Sequence, residues 1–590
     1  MHGDRLKGEQ AKDFKGSLGK ALKFNKKFVI PIIIALILSF ASSVLAIIGP
    51  DKLKEITDII TKGIGSNIDM DAIKHISIIL VIMYTLSFIF NYLQGYIMAI
   101  VTNIFSKDMR RAISEKINKL PLSYFDKTTV GDILSRVTND VDTIGFTLNQ
   151  SLGTLVSALT MFLGSLFMMF TTSYILALVA IFSTIFGFIL MGIIMRKSQK
   201  YFYSVQKGLV NIDGYIEEMF NGHNIVKVYN AEDETNKEFD QINEKLWKDN
   251  LKSQFYSGLM HPIMHFTGNF GYVMVCVVGA ILTMKGTITF GVIVAFMIYI
   301  RLFTNPLSQF ASSMTQLQAT AAASERVFEF LEEKEMDEEK DFVKLPKKEV
   351  IGNLEFKNIK FGYSKKTIIK GFNAKVKAAQ KIAIVGPTGA GKTTIVNLLM
   401  KFYNPNSGDI IIDGVPISKI TRENVHELFT MVLQDTWLFK GTIKENIRYN
   451  NKNISDKEIY DVCKRIGLDH FIKTLPKGYD TVIDNSDGLS SGQKQLLTIA
   501  RSMCEDTPFL ILDEATSNVD TRTEELVSKA IDKLSKDKTS FIIAHRLSTI
   551  RNADLILVMN EGDIVEQGKH EELLKKNGFY AELYNSQFEI

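Results

Sequence analysis

The chain has 590 residues, 46% of them hydrophobic, and a formal net charge of +4. That length is more than one core organises, so at least two domains are expected, and so small a charge implies no nucleic-acid partner. The three cysteines, Cys276, Cys463 and Cys504, show neither a disulfide framework nor metal-ligand spacing, which suits a reducing environment.

Residues 1–27 carry Lys15, Lys20, Lys23, Lys26 and Lys27 before any apolar run begins. A cleavable signal peptide reaches its apolar core sooner, so this segment is expected to stay on the protein as a cytoplasmic N-terminus. Residues 28–331 then read as a transmembrane domain. Phe28–Ile48 and Ile76–Ile104 are uncharged and long enough to cross a bilayer. Gly145–Met195 has no charge and holds two spans, 147–170 and 174–195, with Thr171-Thr172-Ser173 as the turn between them. A fifth span covers 257–284, interrupted by His261, Pro262 and His265, and a sixth covers 286–306, running on through Arg301 and Pro306. Any one run could be a buried helix of a soluble protein, but the set could not.

Six spans put both termini on one side. Lys and Arg gather in the N-terminal segment and in the connections Ser106–Ile144 and Arg196–Gln254, whereas Asp51–Asp71, Thr171–Ser173 and Lys285 make short or acidic connections. The positive-inside rule therefore predicts a multi-pass protein of the cell membrane with cytoplasmic N- and C-termini. The two long connections keep helical periodicity and are expected to be helices extending past the membrane. Bends are expected at Tyr124–Asp132 and between Asn211–Tyr215 and Asn221-Gly222. The charged run 332–341 opens a solvated linker, 332–350, before a soluble α/β domain, 351–590.

Within that domain Lys381–Val385 reads as a strand, Gly386-Pro387-Thr388-Gly389-Ala390-Gly391-Lys392-Thr393 fits the phosphate loop G-x-x-x-x-G-K-[ST], and Thr394–Met400 reads as a helix. Backbone N–H groups and the helix N-terminus would cradle phosphates. Lys392 would add a point charge and the Thr393 hydroxyl a ligand for Mg2+. Phe509–Glu514 reads as a buried strand ending in two acids: Asp513 suits Mg2+, and Glu514 suits a water-positioner or general base.

About a hundred residues after the phosphate loop stands Leu489-Ser490-Ser491-Gly492-Gln493. With the motifs above, it makes the chain resemble the ATP-binding-cassette family, and its exporter branch in particular, over nearly the full length. The resemblance implies the type IV exporter fold, in which six long helices are fused to a P-loop nucleotide-binding domain. It implies ATP contacts along Gly386–Thr394, Thr394 included, and through Tyr363, the aromatic that stacks on adenine. Gln434 matches the glutamine joining Mg2+ and water to the membrane domain. Ser517-Asn518-Val519-Asp520 matches the loop that crosses between paired nucleotide domains, with Asp520 at the nucleotide. His545 matches the switch histidine at the terminal phosphate, a catalytic role it shares with Glu514 and Gln434. In this family Ser490, Ser491, Gly492 and Gln493 would act on the ATP of another nucleotide domain. A chain with one phosphate loop and one signature is therefore a half-transporter, expected to pair with a second subunit in the lipid bilayer.

Ser491 departs from the family's Leu-Ser-Gly-Gly-Gln, and Ile483–Gly488 lacks the Gly-Glu-x-Gly pattern of homodimeric exporters. With Gln434, Asp513, Glu514 and His545 in place, this resembles the catalytically competent subunit of a heterodimeric bacterial multidrug exporter. A homodimeric lipid or peptide exporter, or a membrane ATPase acting as a sensor, are the alternatives. The small hydrophobic substrate is poorly specified. Met161, Phe162, Phe167–Phe170, Phe296, Met297 and Tyr299 suit a permissive cavity but equally suit helix packing or lipid contact. Arg301 and His265 are ionisable groups in or near the membrane.

Overall fold

The computed structural model describes residues 13–24, 26–64, 67–339, 342–364, 366–434, 436–451, 453–484, 488–513, 521–543 and 550–588. Two compact units divide the chain. One holds residues 1–120 and 128–334, the other Pro121–Lys127 and Glu335–Ile590.

The first unit is helical. Its elements are α1 (Phe14–Phe24), α2 (Val29–Gly63), α3 (Met70–Lys119), α5 (Val130–Ser135), α6 (Val141–Thr172), α7 (Tyr174–Asn221), α8 (His223–Val228), α9 (Glu232–Gly258), α10 (Met260–Met284) and α11 (Phe290–Glu332); the short α4 (Leu122–Phe125) belongs to the second unit. Among the described residues six helical stretches are long and apolar enough to cross a membrane: 26–63, 70–119, 130–172, 174–221, 232–284 and 290–332. A span needs about 20 residues, so helices of 50 and 48 residues such as α3 and α7 extend well beyond one. The chain reverses at Ser173 between α6 and α7, and around Gly286 (φ 70°) between α10 and α11.

Small and hydroxylated side chains let the helices approach closely. Ser42 and Ser87 pair at 2.9 Å, Ser43 and Ser157 at 2.9 Å, and the Ser39 hydroxyl donates to the Gly153 carbonyl at 3.1 Å. Such contacts replace the hydrophobic drive that lipid cannot supply. Met169, Phe296 and Tyr299 are fully buried in a cluster with Leu176, Ala180 and Val275, so these three pack helices. Phe167 and Phe170 are exposed, as are Arg301 and His265.

One expectation about the connections is corrected and another is narrowed. Asp51–Asp71 is not a loop: α2 runs through a buried Pro50 to Gly63, with Lys54–Asp51 and Lys52–Glu55 ion pairs one turn apart. Asp58 then accepts hydrogen bonds from Thr289 Oγ1 at 2.9 Å and Gly291 N at 3.0 Å, capping the start of α11. The second expected bend falls at the far end of its range: Asn211–Tyr215 lies inside α7, and the helix stops at Asn221-Gly222. A single Gly214 costs a long helix only about 1 kcal/mol, and the break falls at Gly222 and again at Asn230, where φ is 49°.

In the second unit, β1 (Leu354–Phe361), β2 (Ile369–Val376), β4 (Ser407–Ile412) and β5 (Val415–Pro416) form an antiparallel sheet in the order β2-β1-β4-β5. A six-stranded sheet, β12-β11-β3-β10-β9-β6, is built from β3 (Lys381–Val385), β6 (Phe429–Val432), β9 (Phe509–Asp513), β10 (Thr539–Ile543), β11 (Leu555–Asn560) and β12 (Asp563–Gly568). A two-stranded ribbon pairs β7 (Gly441–Thr442) with β8 (Val482–Ile483). The helices are α12 (Lys392–Leu399), α13 (Arg422–Leu428), α14 (Ile443–Arg448), α15 (Asp456–Arg465), α16 (Asp469–Thr474), α17 (Ser491–Met503), α18 (Thr521–Leu534), α19 (His570–Lys576) and α20 (Phe579–Phe588). Phe356 of the first sheet meets Phe372 and Phe541 edge-on and joins the two sheets in one core. A second core of Ile443, Ile459, Val462, Leu496 and Leu497 holds α14, α15 and α17 together.

The charged run after α11 is not solvated throughout. Glu339 pairs at 2.8 Å with Lys401, whose side chain is only 4% exposed, and accepts from the Arg422 backbone N–H. A lysine ammonium so enclosed needs a charged partner, and the linker supplies it.

Candidate functional site

Strands β3, β10, β9 and β6 are neighbours and all parallel, so their carboxyl ends share one edge of the sheet. In open α/β sheets ligands sit at that edge. The register aligns Ile543 with both Asp513 and Ile384, and Val432 with Leu512. The phosphate loop after β3, Gln434 after β6 and Asp513 ending β9 therefore emerge at the same edge of the sheet as the carboxyl end of β10. β3 is buried over its last four residues, which explains its uninterrupted apolar run.

The loop between β3 and α12 depends on glycine at two points. A Cβ on Gly386 would lie 2.2 Å from the Met559 carbonyl oxygen. Gly391, with φ at 99°, is the residue before α12, and a Cβ there would meet Ile369 Cδ1 at 2.8 Å. Pro387, Thr388, Gly389 and Ala390 complete the turn, closed by Ala390 N donating to the Pro387 carbonyl at 3.2 Å. Lys392 is 7% exposed and its ammonium donates to the carbonyls of Gly386 at 2.6 Å and Pro387 at 3.2 Å. The charge is thus held inside the loop. Thr393 is exposed on the first turn of α12 and Thr394 is buried beneath it.

Tyr363 follows β1 and is 40% exposed. Its hydroxyl accepts from Asn397 Nδ2 at 2.9 Å, which ties it to α12. Its ring stands edge-on to Phe361 at 5.0 Å and to Tyr403 at 4.9 Å. Tyr403 is the residue that sequence reasoning missed: its hydroxyl donates to Asp126, beside α4, a contact 277 positions apart in the chain that no local pattern signals. Burial, helped by that contact, raises the Tyr403 phenol well above its ordinary value.

The second motif opens α17. Ser490 is the N-cap: its hydroxyl accepts from Gln493 N at 3.2 Å, while Gln493 Oε1 accepts from Ser490 N at 3.0 Å. This capping box leaves Ser491 exposed as the first helical residue, with Gly492 buried behind it. Gln434 is exposed in the loop after β6. Glu514, the Ser517–Asp520 loop and His545 lie outside the described residues.

Residues 32–307 match the model of the ABC transporter transmembrane region, and residues 369–517 match the model described as ABC transporter. The chain is 38% identical to the uncharacterized ABC transporter ATP-binding protein YfiC of Bacillus subtilis, across 99% of this chain and 96% of that protein. It is 40% identical to the fatty acid ABC transporter ATP-binding/permease protein of Mycobacterium bovis, across 88% of this chain and 82% of the relative. With the probable multidrug resistance ABC transporter ATP-binding/permease protein YheH of Bacillus subtilis it shares 34% identity, across 85% of this chain and 75% of the relative. The phosphate loop and capped signature helix on one unit, and six membrane-crossing helices on the other, mark the chain as a member of the ABC transporter family, a multi-pass half-transporter of exporter type that binds ATP and couples its hydrolysis to transport.

Proposed function

We propose that the chain exports hydrophobic or amphipathic compounds, drugs or lipids, across the cell membrane as one half of an alternating-access dimer. The observation that carries this is the union, in one chain, of six apolar helices with a phosphate-loop sheet and a single signature helix. The relatives' printed substrates, fatty acid in one and multidrug resistance in another, support a lipophilic cargo of that range. Both termini are assigned to the cytoplasm on the Lys/Arg distribution. The charged segment 332–350 is assigned as the linker between domains 28–331 and 351–590.

In the proposed cycle the loop 386–391 and the α12 N-terminus bind the phosphates, with Lys392 neutralising the outer ones. Tyr363 stacks on adenine. We assign Mg2+ to the Thr393 hydroxyl, the Gln434 side chain and the Asp513 carboxylate, which lie on segments that follow or end parallel strands of one sheet and are oxygen donors of the kind that fits this ion. Bound there, the ion would supply charge compensation at the phosphate oxygens. Glu514 positions the attacking water and accepts its proton, His545 contacts the terminal phosphate, and Asp520 faces the paired domain. Ser490, Ser491, Gly492 and Gln493 complete the partner's ATP site through the α17 N-terminus.

A dimer is further supported by the tip around α8. Phe220, Ile225, Val228 and Tyr229 are 81%, 65%, 76% and 77% exposed, a cluster apolar enough to mark an interaction surface. We assign it to a second subunit. Ser491 and the unusual 483–488 segment favour a heterodimer in which this chain carries the working Glu514. Glu514→Gln is expected to leave ATP binding intact and to cut turnover at least about a hundredfold. Normal ATPase activity in that variant would sink the assignment. Drug- or lipid-stimulated ATPase and ATP-dependent uptake into inverted vesicles separate export from a sensor role. The mass of the intact complex from the native host shows whether the partner is a copy.

A further inference from the structure

Tyr363 sits in a tight turn after β1. Gly362 N donates to Asn406 Oδ1 at 2.9 Å, Asn406 N donates to the Lys360 carbonyl at 2.8 Å, and a Cβ on Gly362 would fall 2.3 Å from the Lys366 carbonyl oxygen. The backbone is thereby fixed, and the Asn397 amide fixes where the side chain points. The angle of the ring plane is a separate matter. A tyrosine hydroxyl lies on the axis about which its ring turns, so a hydrogen bond to it leaves the plane free to rotate. Only groups that press on the edges or faces of the ring set that angle.

Two rings do so. Phe361 and Tyr403 stand at 83° and 89° to the Tyr363 ring, with centroids 5.0 and 4.9 Å away, and lie 5.7 Å from each other. Phe361 is buried in the core, whereas Tyr403 is half-buried at the margin of that core, in the loop after α12. The Tyr403 hydroxyl donates to the carboxylate of Asp126, an exposed residue of the same compact unit. A hydrogen bond to an ionised acceptor is about twice as strong as a neutral one. Asp126 thus decides where the Tyr403 ring points, and the Tyr403 ring then bears on the plane of Tyr363.

We infer that Tyr403 is a positioning residue for the nucleobase: held by Asp126, it sets the plane that the Tyr363 ring offers to adenine. The inference rests on the adenine-stacking role proposed above for Tyr363 and names the residues that govern its strength. Aromatic systems attract one another in preferred offsets and angles. A ring already set at its bound angle avoids the ordering cost that a freely turning ring would bring to binding. The phosphates are assigned to the loop 386–391 and the α12 N-terminus, so the effect belongs to the base.

The test uses the full-length protein with whatever subunit co-purifies, in nanodiscs, with EDTA present to prevent hydrolysis. ATP and inorganic tripolyphosphate each displace the same fluorescent ATP analogue, so the affinity of the analogue cancels in their ratio. Tyr403→Phe and Asp126→Ala should each weaken ATP about fivefold, the scale of one immobilised side chain, and leave tripolyphosphate within about twofold. Tyr403→Phe/Asp126→Ala should weaken ATP no further, because both changes remove one bond. Asp126→Asn keeps an acceptor oxygen and should stay within about twofold of the wild type. With Mg2+ restored, KM for ATP should rise about fivefold in Tyr403→Phe while kcat holds within about twofold. Equal loss of ATP and tripolyphosphate, or additive losses in the double variant, would make the contact a structural tie and overturn the inference. Tyr363→Ala separates the two readings. A preference for ATP over tripolyphosphate that is lost in that variant but unchanged in Tyr403→Phe and Tyr403→Ala removes the positioning role alone. A preference unchanged in Tyr363→Ala removes the adenine platform and the inference with it.

Discussion

Ser491 carries less conformational weight than its motif suggests. As the first residue of α17 it has ordinary helical backbone, so glycine would gain no torsional freedom there that serine lacks. The elements that fix the helix end, Ser490 and Gln493, are intact and mutually hydrogen-bonded. What distinguishes this signature is one added hydroxymethyl group on an exposed first turn. Ser491→Gly is therefore expected to change the ATPase rate of the complex by no more than about threefold, the scale of part of one hydrogen bond. A rise of tenfold or more, measured by phosphate release, would mean that the serine side chain obstructs the partner's ATP. His426 is a second residue whose setting predicts behaviour. Burial, aided by the nearby Arg422 guanidinium, holds it below the ordinary histidine value despite its contact with the Met400 carbonyl at 2.8 Å. As pH falls the unfolded chain takes up this proton before the folded one does. The associated stability is complete above about pH 6.5 and is lost as pH drops below it towards the lower folded value. Burial lowers His570 in the same direction. The thermal midpoint should fall between about pH 7.5 and 5.5, and His426→Gln should flatten part of that slope.

Elements were legible in the sequence where a single physical rule decides them. Uncharged runs too long for a soluble core announced the membrane helices, and a β-branched run before a glycine loop announced β3 and its phosphate loop. What local pattern missed was decided by partners far along the chain. Residues 51–63 look like a polar loop, yet they are helical beside α11, whose first turn Asp58 caps. The run 332–341 looks solvated, yet Glu339 is claimed by a lysine about sixty positions later. The site edge formed by β3, β10, β9 and β6 likewise follows from strand order, which no motif states. Another such element is the π-helical turn Arg136–Asp140 between α5 and α6. Its last residue, Asp140, is 4% exposed and receives a two-pronged contact from Arg326 of α11, with Nε to Oδ2 at 3.0 Å. Arg136 covers the Phe330 ring at 5.6 Å on the same helix. Removing one member of such a pair strands a charge, so Arg326→Ala is expected to cost up to about 3 kcal/mol. Asp140→Ala/Arg326→Ala should recover part of that loss. A double variant no more heat-stable than Arg326→Ala would show that the pair's value lies elsewhere.

At the scale of the molecule, the two turns that follow long helices have opposite surroundings. The first, Pro121–Lys127, belongs to the compact unit that contains the phosphate loop, and Asp126 receives the Tyr403 hydroxyl. Tyr403 in turn abuts Tyr363, so the turn is two side chains from the proposed adenine platform. The second turn, at α8, leaves Phe220, Ile225, Val228 and Tyr229 in solvent. Four apolar side chains on one short tip would cost solubility if nothing covered them, and a half-transporter has one partner of the right kind, the other subunit. On the assignment proposed above, the tip serves the dimer and not the folding of the single chain. Val228→Asp/Tyr229→Asp should leave the protein inserted in the membrane and able to bind a fluorescent ATP analogue. The same substitutions should remove at least about 2 kcal/mol of interface energy by placing charges where apolar groups are desolvated. The expected result is a shift from dimer towards monomer in mass photometry, with ATPase activity falling in step, because a single chain holds only half of each ATP site. Full ATPase activity from a dimer that carries both charges would mean that the tip is solvent-facing in the working transporter.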